Sequence, residues 1–211
     1  MEHELAHLIT SEEELRAIIG SPREGGATAR KATETPHEII RAFIARSPFV
    51  LVASSDAKGN VDVSPKGDPP GFVQVLDERT LAIPERPGNH RADTFSNILQ
   101  NSKVGLIFLI PGHRETLRVS GTAQISSDLW LREKMVVAGN TPKLALVIDV
   151  EEAFIHCPKC MLRSNLWESE EGDEPEGIPS LAQSFAALYN NTRPLQEFEK
   201  VIAEDARDNL Y

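Results

Sequence analysis

The chain has 211 residues, of which 40% are hydrophobic, and its formal net charge is −10. This length fits one domain with appendages or at most two small domains, and the apolar content is too high for a disordered chain. The negative charge argues against nucleic acid or an anionic membrane as a partner, because both present phosphates that demand clustered Lys and Arg. The longest apolar run, residues 104–110, is too short to span a membrane.

The ends of the chain differ in charge from its middle. Acidic residues crowd positions 12–14 and 168–176, whereas the middle holds basic residues that could form a locally positive pocket for an anion. Residues 1–10 show no basic stretch followed by an apolar one, so we expect no secretion signal. Two cysteines are too few for a disulfide framework, which indicates a cytoplasmic protein.

Helices are expected first along the chain. Apolar residues at helical spacing predict helices over residues 5–20 and 35–46, and the aperiodic segment 21–35 between them indicates a linker. Ser11 and Glu14 have the spacing of a capping box, which supports the start of the first helix.

From residue 48 the hydrophobic period shortens to two, which predicts strands joined by short turns. Three strand pairs are expected, namely 49–54 with 61–65, 72–76 with 80–84, and 103–110 with 116–126, with a helix over 93–101 before the third pair. A helix over 128–138, a strand over 144–155, an acidic loop over 170–179 and an amphipathic tail over 180–208, broken near Pro194, complete the chain. Closely spaced antiparallel strands predict a mainly β fold with flanking helices, built around a small barrel without exposed edges.

The strand at 61–65 and the residues after it form the first candidate site. Alternation places Asp62 and Ser64 on one face and the two valines on the other. The strand runs into Lys66 and a glycine, where a cation and backbone N–H groups can bind an anion. A strand end with solvated charges is the alternative interpretation.

The second candidate site is the Pro/Gly-rich loop that contains Arg86, Asn89 and Arg91 and leads from a strand into a helix. Backbone amides at a helix start attract phosphate, and arginines bind it through several N–H groups. The residues alone leave two interpretations open, an anion site and an ordinary turn capped by Asn89 or Asp93. Further along, Thr116 and Arg118 project from the same face of a strand, toward solvent or into a cleft.

Cys157 and Cys160, preceded by His156, invite a metal or redox interpretation. A structural zinc site needs further ligands, and the chain has no other cysteine and no histidines at ligand spacing, so no metal site is predicted. A thioredoxin-type motif should open a helix, which the residues after Cys160 do little to support.

In this order the segments resemble the pyridoxamine 5′-phosphate oxidase-like flavoproteins, and most closely a bacterial FMN-dependent branch whose substrates are uncharacterised. The resemblance covers about residues 35–170. It depends on four motifs, at residues 62–68, 86–98, 115–123 and 156–167.

The resemblance implies an FMN-binding split β-barrel that forms a homodimer with two cofactor sites at the interface. By analogy, the FMN phosphate and ribityl chain would be bound by Arg86, Asn89, Arg91 and Asn97. The flavin ring would lie along Asp62, Ser64 and Lys66, and the strand with Thr116 and Arg118 would reach the cofactor. Arg163 and Trp167 match a segment that approaches the flavin from the other subunit.

The same resemblance divides the chain into an N-terminal helix and linker (1–34), an FMN-binding domain (35–170) and an acidic loop with a helical tail (171–211). We expect an FMN-dependent oxidoreductase in which the flavin carries the redox chemistry and no catalytic side chain is assigned. Pyridoxamine phosphate oxidases carry an Arg-rich strand where this chain has residues 61–64, so the substrate and electron donor stay open. The alternative is a non-catalytic protein that binds flavin or haem, with an axial ligand from among His90, His113 and His156.

Overall fold

The computed structural model describes residues 5–21, 32–34, 37–168, 177–189 and 192–211. Within these ranges the helices are α1 (Glu12–Ile19), α2 (Glu38–Arg46), α3 (Asp93–Ile98), α4 (Leu129–Glu133), α5 (Lys159–Ser164), α6 (Leu181–Leu188) and α7 (Leu195–Asp208). The strands are β1 (Phe49–Ser55), β2 (Val61–Gly67), β3 (Gln74–Val75), β4 (Thr80–Pro84), β5 (Lys103–Leu109), β6 (Thr116–Ser126) and β7 (Ala145–His156). Most of the predicted linker, most of the acidic loop and the predicted start of the second helix at residue 35 lie outside the described residues.

The strands form one antiparallel sheet in the order β2-β1-β5-β6-β7-β4-β3. The three predicted strand pairs are confirmed as β1–β2, β3–β4 and β5–β6. The predicted mainly β fold class with flanking helices is therefore confirmed. The expectation that closure removes the exposed edges is wrong for this chain, because β2 and β3 each pair on one side only and leave the sheet open.

The long β6–β7 pair crosses the middle of the sheet and carries a register shift between Ser120 and Gly121. A Cβ atom on Gly121 would collide with the carbonyl oxygen of Asp149. Only glycine therefore allows the two strands to approach this closely at the bulge.

The main core lies under α2 on one face of the sheet. Ile40, Phe43 and Ile44 are buried at helical spacing, and α2 contacts β6 and β7. Alternate residues of the strands complete this core, including Val50, Val52, Leu106, Phe108, Leu117, Val119, Ile148 and Val150. Each such side chain contributes about 1.5–3 kcal/mol on burial, so this face holds the sheet and α2 together.

The tail helices pack on each other. Ala182 and Ala186 of α6 form a small separate cluster with Phe198 of α7, and the break between these helices at Pro194 is confirmed. At the other end of the chain, α1 begins after its predicted cap Ser11 and buries none of its residues, so the predicted helix start at residue 5 is wrong. Among the described helices, none combines the length and the apolar character needed to cross a membrane.

Several predicted bounds are wrong. The strand expected over 72–76 shortens to Gln74–Val75, because the N–H of Phe72 instead donates to the carbonyl of Pro69 in a turn. The helices expected over 93–101 and 128–138 end early, at Ile98 and Glu133. Sequence reasoning did not predict α5, which buries Met161 and opens directly after Cys157 and Pro158.

Candidate functional site

A polar cavity lies between β2 and the loop that leads from β4 into α3. It has a volume of about 470 Å³, within the range of about 300–1,000 Å³ typical of small-molecule sites. Six predicted site residues line it: Asp62, Ser64, Lys66, Arg86, Asn89 and Arg91. The predicted strand and the predicted loop therefore meet at one place, which the residues alone could not establish.

The edge strand β2 places its polar side chains toward this cavity. The predicted alternation is confirmed, with Asp62, Ser64 and Lys66 half-buried. Its apolar side chains are the exposed ones, with Val61 73% and Val63 55% exposed. A strand that supported only the core would present the opposite polarity, so β2 is built to serve a polar ligand on one side and an apolar surface on the other.

Lys66 supplies a partly buried positive charge to the cavity. Burial lowers the pKa of its ammonium group, because desolvation disfavours the charged form, while the carboxylates of Glu85 and Asp62 act in the opposite direction. Among the residues that the structure describes, no salt bridge within 4.0 Å engages Lys66. Its charge is therefore available to an anion that enters the cavity.

Arg86 is held in place by the fold. Its Nε donates to Oδ2 of Asp68 at 2.6 Å, and its Nη2 donates to the carbonyl oxygen of Met135 at 2.8 Å. The Asp68 side chain is fully buried and that of Arg86 is 14% exposed. A buried pair of this kind fixes the guanidinium group, and Asp68 balances most of its charge.

Tyr211 completes this arrangement from the tail. Its hydroxyl donates to Oδ1 of Asp68 at 2.9 Å, and its ring lies over the guanidinium of Arg86, with Cζ 5.7 Å from the ring centroid. Sequence reasoning missed Asp68 as the partner of Arg86 and missed Tyr211 altogether. The two hydrogen-bonded residues are 143 positions apart, so no local pattern signals the contact.

The loop before α3 has a constrained backbone. The side-chain oxygen of Asn89 accepts the backbone N–H of Arg91 at 3.0 Å, and the Nε of Arg91 donates to Asp93 at 2.7 Å. His90 and Ala92 adopt left-handed conformations, with φ of 58° and 54°, which non-glycine residues rarely take. Ala92 holds the N-cap position of α3 without a side-chain hydrogen bond, so neither Asn89 nor Asp93 is the N-cap of this helix, whereas Asn89 does cap a turn within the loop.

The other predicted site residues lie elsewhere in the chain. Asn97 donates to the hydroxyl of Ser54 at 3.1 Å and so ties α3 to β1. Thr116 is buried, whereas Arg118 is exposed and its Cζ lies 5.2 Å from the ring centroid of Phe154. Arg118 also lines a second, more apolar cavity of about 280 Å³ that includes Val63.

The segment with Arg163 and Trp167 lies beside the β5–β6 turn. The indole N–H of Trp167 donates to the carbonyl oxygen of His113 at 2.8 Å, and Arg163 is exposed in the last turn of α5. Neither residue lines the polar cavity of its own chain. Any role of these two residues at a cofactor therefore concerns a cofactor bound outside the polar cavity of their own chain.

The histidines and cysteines occupy different surroundings. His90 lines the polar cavity, whereas the Nε2 of His113 lies 3.3 Å from Glu115. Cys157 and Cys160 are both exposed and free. Within the described ranges, no three His, Cys, Asp or Glu side chains are grouped as a metal site requires.

Comparison with known proteins gives one family match. A family model described as pyridoxamine 5′-phosphate oxidase matches residues 36–157, which span β1 through β7 and support the predicted resemblance and fold class. Among solved structures, a candidate pyridoxamine 5′-phosphate oxidase of Lactobacillus delbrueckii is 28% identical, covers 58% of this chain and 95% of its own, and has a TM-score of 0.46. HupZ of Group A Streptococcus is 24% identical, covers 56% of this chain and 91% of its own, and has a TM-score of 0.45. HutZ, the heme storage protein of Vibrio cholerae, is 17% identical, covers 57% of this chain and 94% of its own, and has a TM-score of 0.41. A search of the curated proteins found no match.

Proposed function

Because the chain belongs to the pyridoxamine 5′-phosphate oxidase family, we propose that it binds FMN in the polar cavity and acts as an FMN-dependent oxidoreductase. One observation carries this proposal. The cavity brings together six polar residues from two separate segments of the sequence: Asp62, Ser64, Lys66, Arg86, Asn89 and Arg91.

The cavity residues fit an anionic, partly polar ligand. Lys66 carries a positive charge that no salt bridge within the described residues engages. Arg91 is 71% exposed, and its contact with Asp93 is a surface ion pair that a phosphate can displace. A phosphate held by two cations gains charge-assisted hydrogen bonds, which are the stronger class.

Each group has a proposed part in holding the cofactor. Lys66, Arg91 and the fixed guanidinium of Arg86 bind the phosphate. Asn89 holds the loop that presents Arg91, because its side chain accepts the Arg91 N–H. Asp62 and Ser64, half-buried on β2, line the flavin ring. When bound, FMN supplies the hydride or electron transfer, and the protein binds, orients and shields it.

We further propose a homodimer that forms across the outer face of the sheet. Val61 and Val63 are exposed on an edge strand, and the neighbouring cavity adds Leu51, Ile107 and Phe154. An exposed apolar patch beside an unpaired strand edge is a liability unless another chain covers it. In this dimer, Thr116 and Arg118 belong to the strand beside the interface, and Arg163 and Trp167 serve the cofactor bound to the other subunit.

The absorbance spectrum of the purified protein, alone and with added FMN, tests the cofactor. We expect flavin bands in the blue and near ultraviolet and quenching of FMN fluorescence on titration. A Soret band would favour the haem-binding alternative, with His90 as the histidine that lines the cavity. Failure to bind added FMN would refute the proposal. The two free thiols fit a reducing compartment, and we propose the cytoplasm.

A further inference from the structure

Tyr211 joins the α6–α7 hairpin to the wall of the polar cavity. The hairpin has its own small core around Phe198, and Tyr211, which follows α7, contacts Asp68 and Arg86. Tyr211 lies between two further cavities. One, of about 400 Å³, shares Lys66, Arg86 and Asn89 with the proposed FMN site, and the other, of about 340 Å³, includes His90 and Lys143.

The hydroxyl of Tyr211 and the guanidinium of Arg86 both donate to the carboxylate of Asp68. Arginine and carboxylate groups often pair through two parallel hydrogen bonds. Here Nε of Arg86 donates to Oδ2 of Asp68, and Oδ1 accepts from Tyr211. The Nη2 of Arg86 is directed instead to the carbonyl oxygen of Met135. The guanidinium is thereby held by Asp68 on one side and lies beneath the ring of Tyr211.

The burial of Asp68 makes this arrangement sensitive to the loss of one donor. Its side chain is fully buried, so both oxygens need donors. The hydrogen bond to Asp68 also raises the pKa of Tyr211, since it stabilises the protonated hydroxyl. Tyr211 therefore stays a donor across the physiological range. If that donor is lost, the free oxygen attracts the second N–H edge of Arg86.

We propose that Tyr211 is a positioning residue that, through Asp68, fixes the Arg86 guanidinium at the wall of the anion-binding cavity. The α6–α7 hairpin thereby becomes part of the cofactor site although none of its helical residues lines the polar cavity. The ligand that Arg86 would meet there is a phosphate-bearing anion, and this identification rests on the proposed FMN function.

Tyr211→Phe tests the proposal because it keeps the ring over Arg86 and removes only the hydroxyl. We expect the Arg86 guanidinium to turn and to lose one charged hydrogen bond to the phosphate, so the dissociation constant for FMN, measured by fluorescence quenching, should rise about tenfold. The matched control is Tyr189→Phe, since Tyr189 is the other tyrosine of the chain and lies in the same hairpin against Phe198. Equal affinities for Tyr211→Phe and the unaltered protein would overturn the proposal.

A second measurement works without FMN and separates this proposal from the proposed function. The Nε–H resonance of Arg86 in the apo-protein, assigned with Arg86→Lys, reports the hydrogen bond to Asp68 directly. We expect Tyr211→Phe to move this resonance and Tyr189→Phe to leave it in place, with both variants melting near the temperature of the unaltered protein. An unmoved resonance refutes the positioning role. If FMN fails to bind the unaltered protein, the proposed function falls, and this resonance still decides the role of Tyr211.

Discussion

Lys66→Met separates the two consequences of placing a lysine in the polar cavity. Met keeps most of the length and apolar stem of the side chain and removes the charge. Burial lowers the pKa of Lys66 in the folded protein, so its ammonium group opposes folding there. The same group is the proposed partner of the FMN phosphate. We therefore expect the variant to have a higher free energy of unfolding without FMN and a weaker affinity for FMN.

The size of the binding effect follows from the loss of one charged hydrogen bond. Such a bond contributes about 1.5–3 kcal/mol. Since about 1.4 kcal/mol corresponds to a factor of ten, the dissociation constant for FMN should rise roughly 10- to 150-fold. Lys58→Met is the matched control, because Lys58 lies exposed in the β1–β2 turn, away from the cavity.

The stability effect depends on pH in a defined direction. The pKa of Lys66 is lowered in the folded state from an ordinary value of 10.5, so between the two values the unfolded chain binds more protons. The contribution of Lys66 to the free energy of unfolding is therefore lowest below its pKa in the folded protein. It rises as the pH increases from that pKa to the pKa in the unfolded chain. Lys66→Met lacks that rise, and the two unfolding free energies should converge as the pH approaches 10.5.

Fluorescence titration with FMN at neutral pH, and urea unfolding of the apo-protein at pH 7 and pH 10, measure both effects. If Lys66→Met binds FMN as tightly as Lys58→Met does, the phosphate does not lie at Lys66. If the variant is less stable than the unaltered protein at pH 7, the buried charge is not a cost to folding. Either result would refute the reasoning.

Three further substitutions test the rest of the site. Arg86→Ala should lower the free energy of unfolding by about 3–5 kcal/mol in urea, because it leaves the buried carboxylate of Asp68 uncompensated; a loss below about 1 kcal/mol would contradict this. Arg91→Ala should keep stability nearly unchanged, since its side chain is exposed, and weaken FMN binding at least tenfold by fluorescence titration. Val63→Asp should convert the proposed dimer to a monomer in sedimentation velocity runs, whereas a persistent dimer would place the interface elsewhere.

The strands were predictable because their signals are local. Alternating apolar residues and turn residues such as those at 111–112 identified β6 with its observed bounds and all three strand pairs. The open sheet was not predictable in this way, since the partners of β2 and β3 depend on the whole strand order. The helix α5 was missed because its six residues are too few to show a period and Met161 alone is buried.

Part of the site was predictable because its signals, like those of the strands, are local in the sequence. Lys66 and Arg91 belong to segments whose composition already suggested an anion, and the fold brings those segments together. The role of Arg86 was not visible, because it depends on Asp68 and on Tyr211, which lies far along the chain. A sequence shows which side chains can bind a phosphate. It does not show which of those side chains already form hydrogen bonds or ion pairs within the folded protein.

Which face of β2 is buried depends on what binds to the strand and not on its sequence pattern alone. Alternation separates its valines from Asp62, Ser64 and Lys66, but it does not say which set is buried. In a single chain the polar residues are half-buried, whereas Val61 and Val63 are exposed. The folded chain therefore lacks the free energy that burial of these two valines would contribute. A cofactor on the polar side and a second chain on the apolar side would satisfy both faces together. We therefore expect Val61→Asp, at an exposed valine that does not line the polar cavity, to weaken FMN binding along with dimerisation. A monomeric variant with unchanged FMN affinity would show that the cavity is complete within one chain.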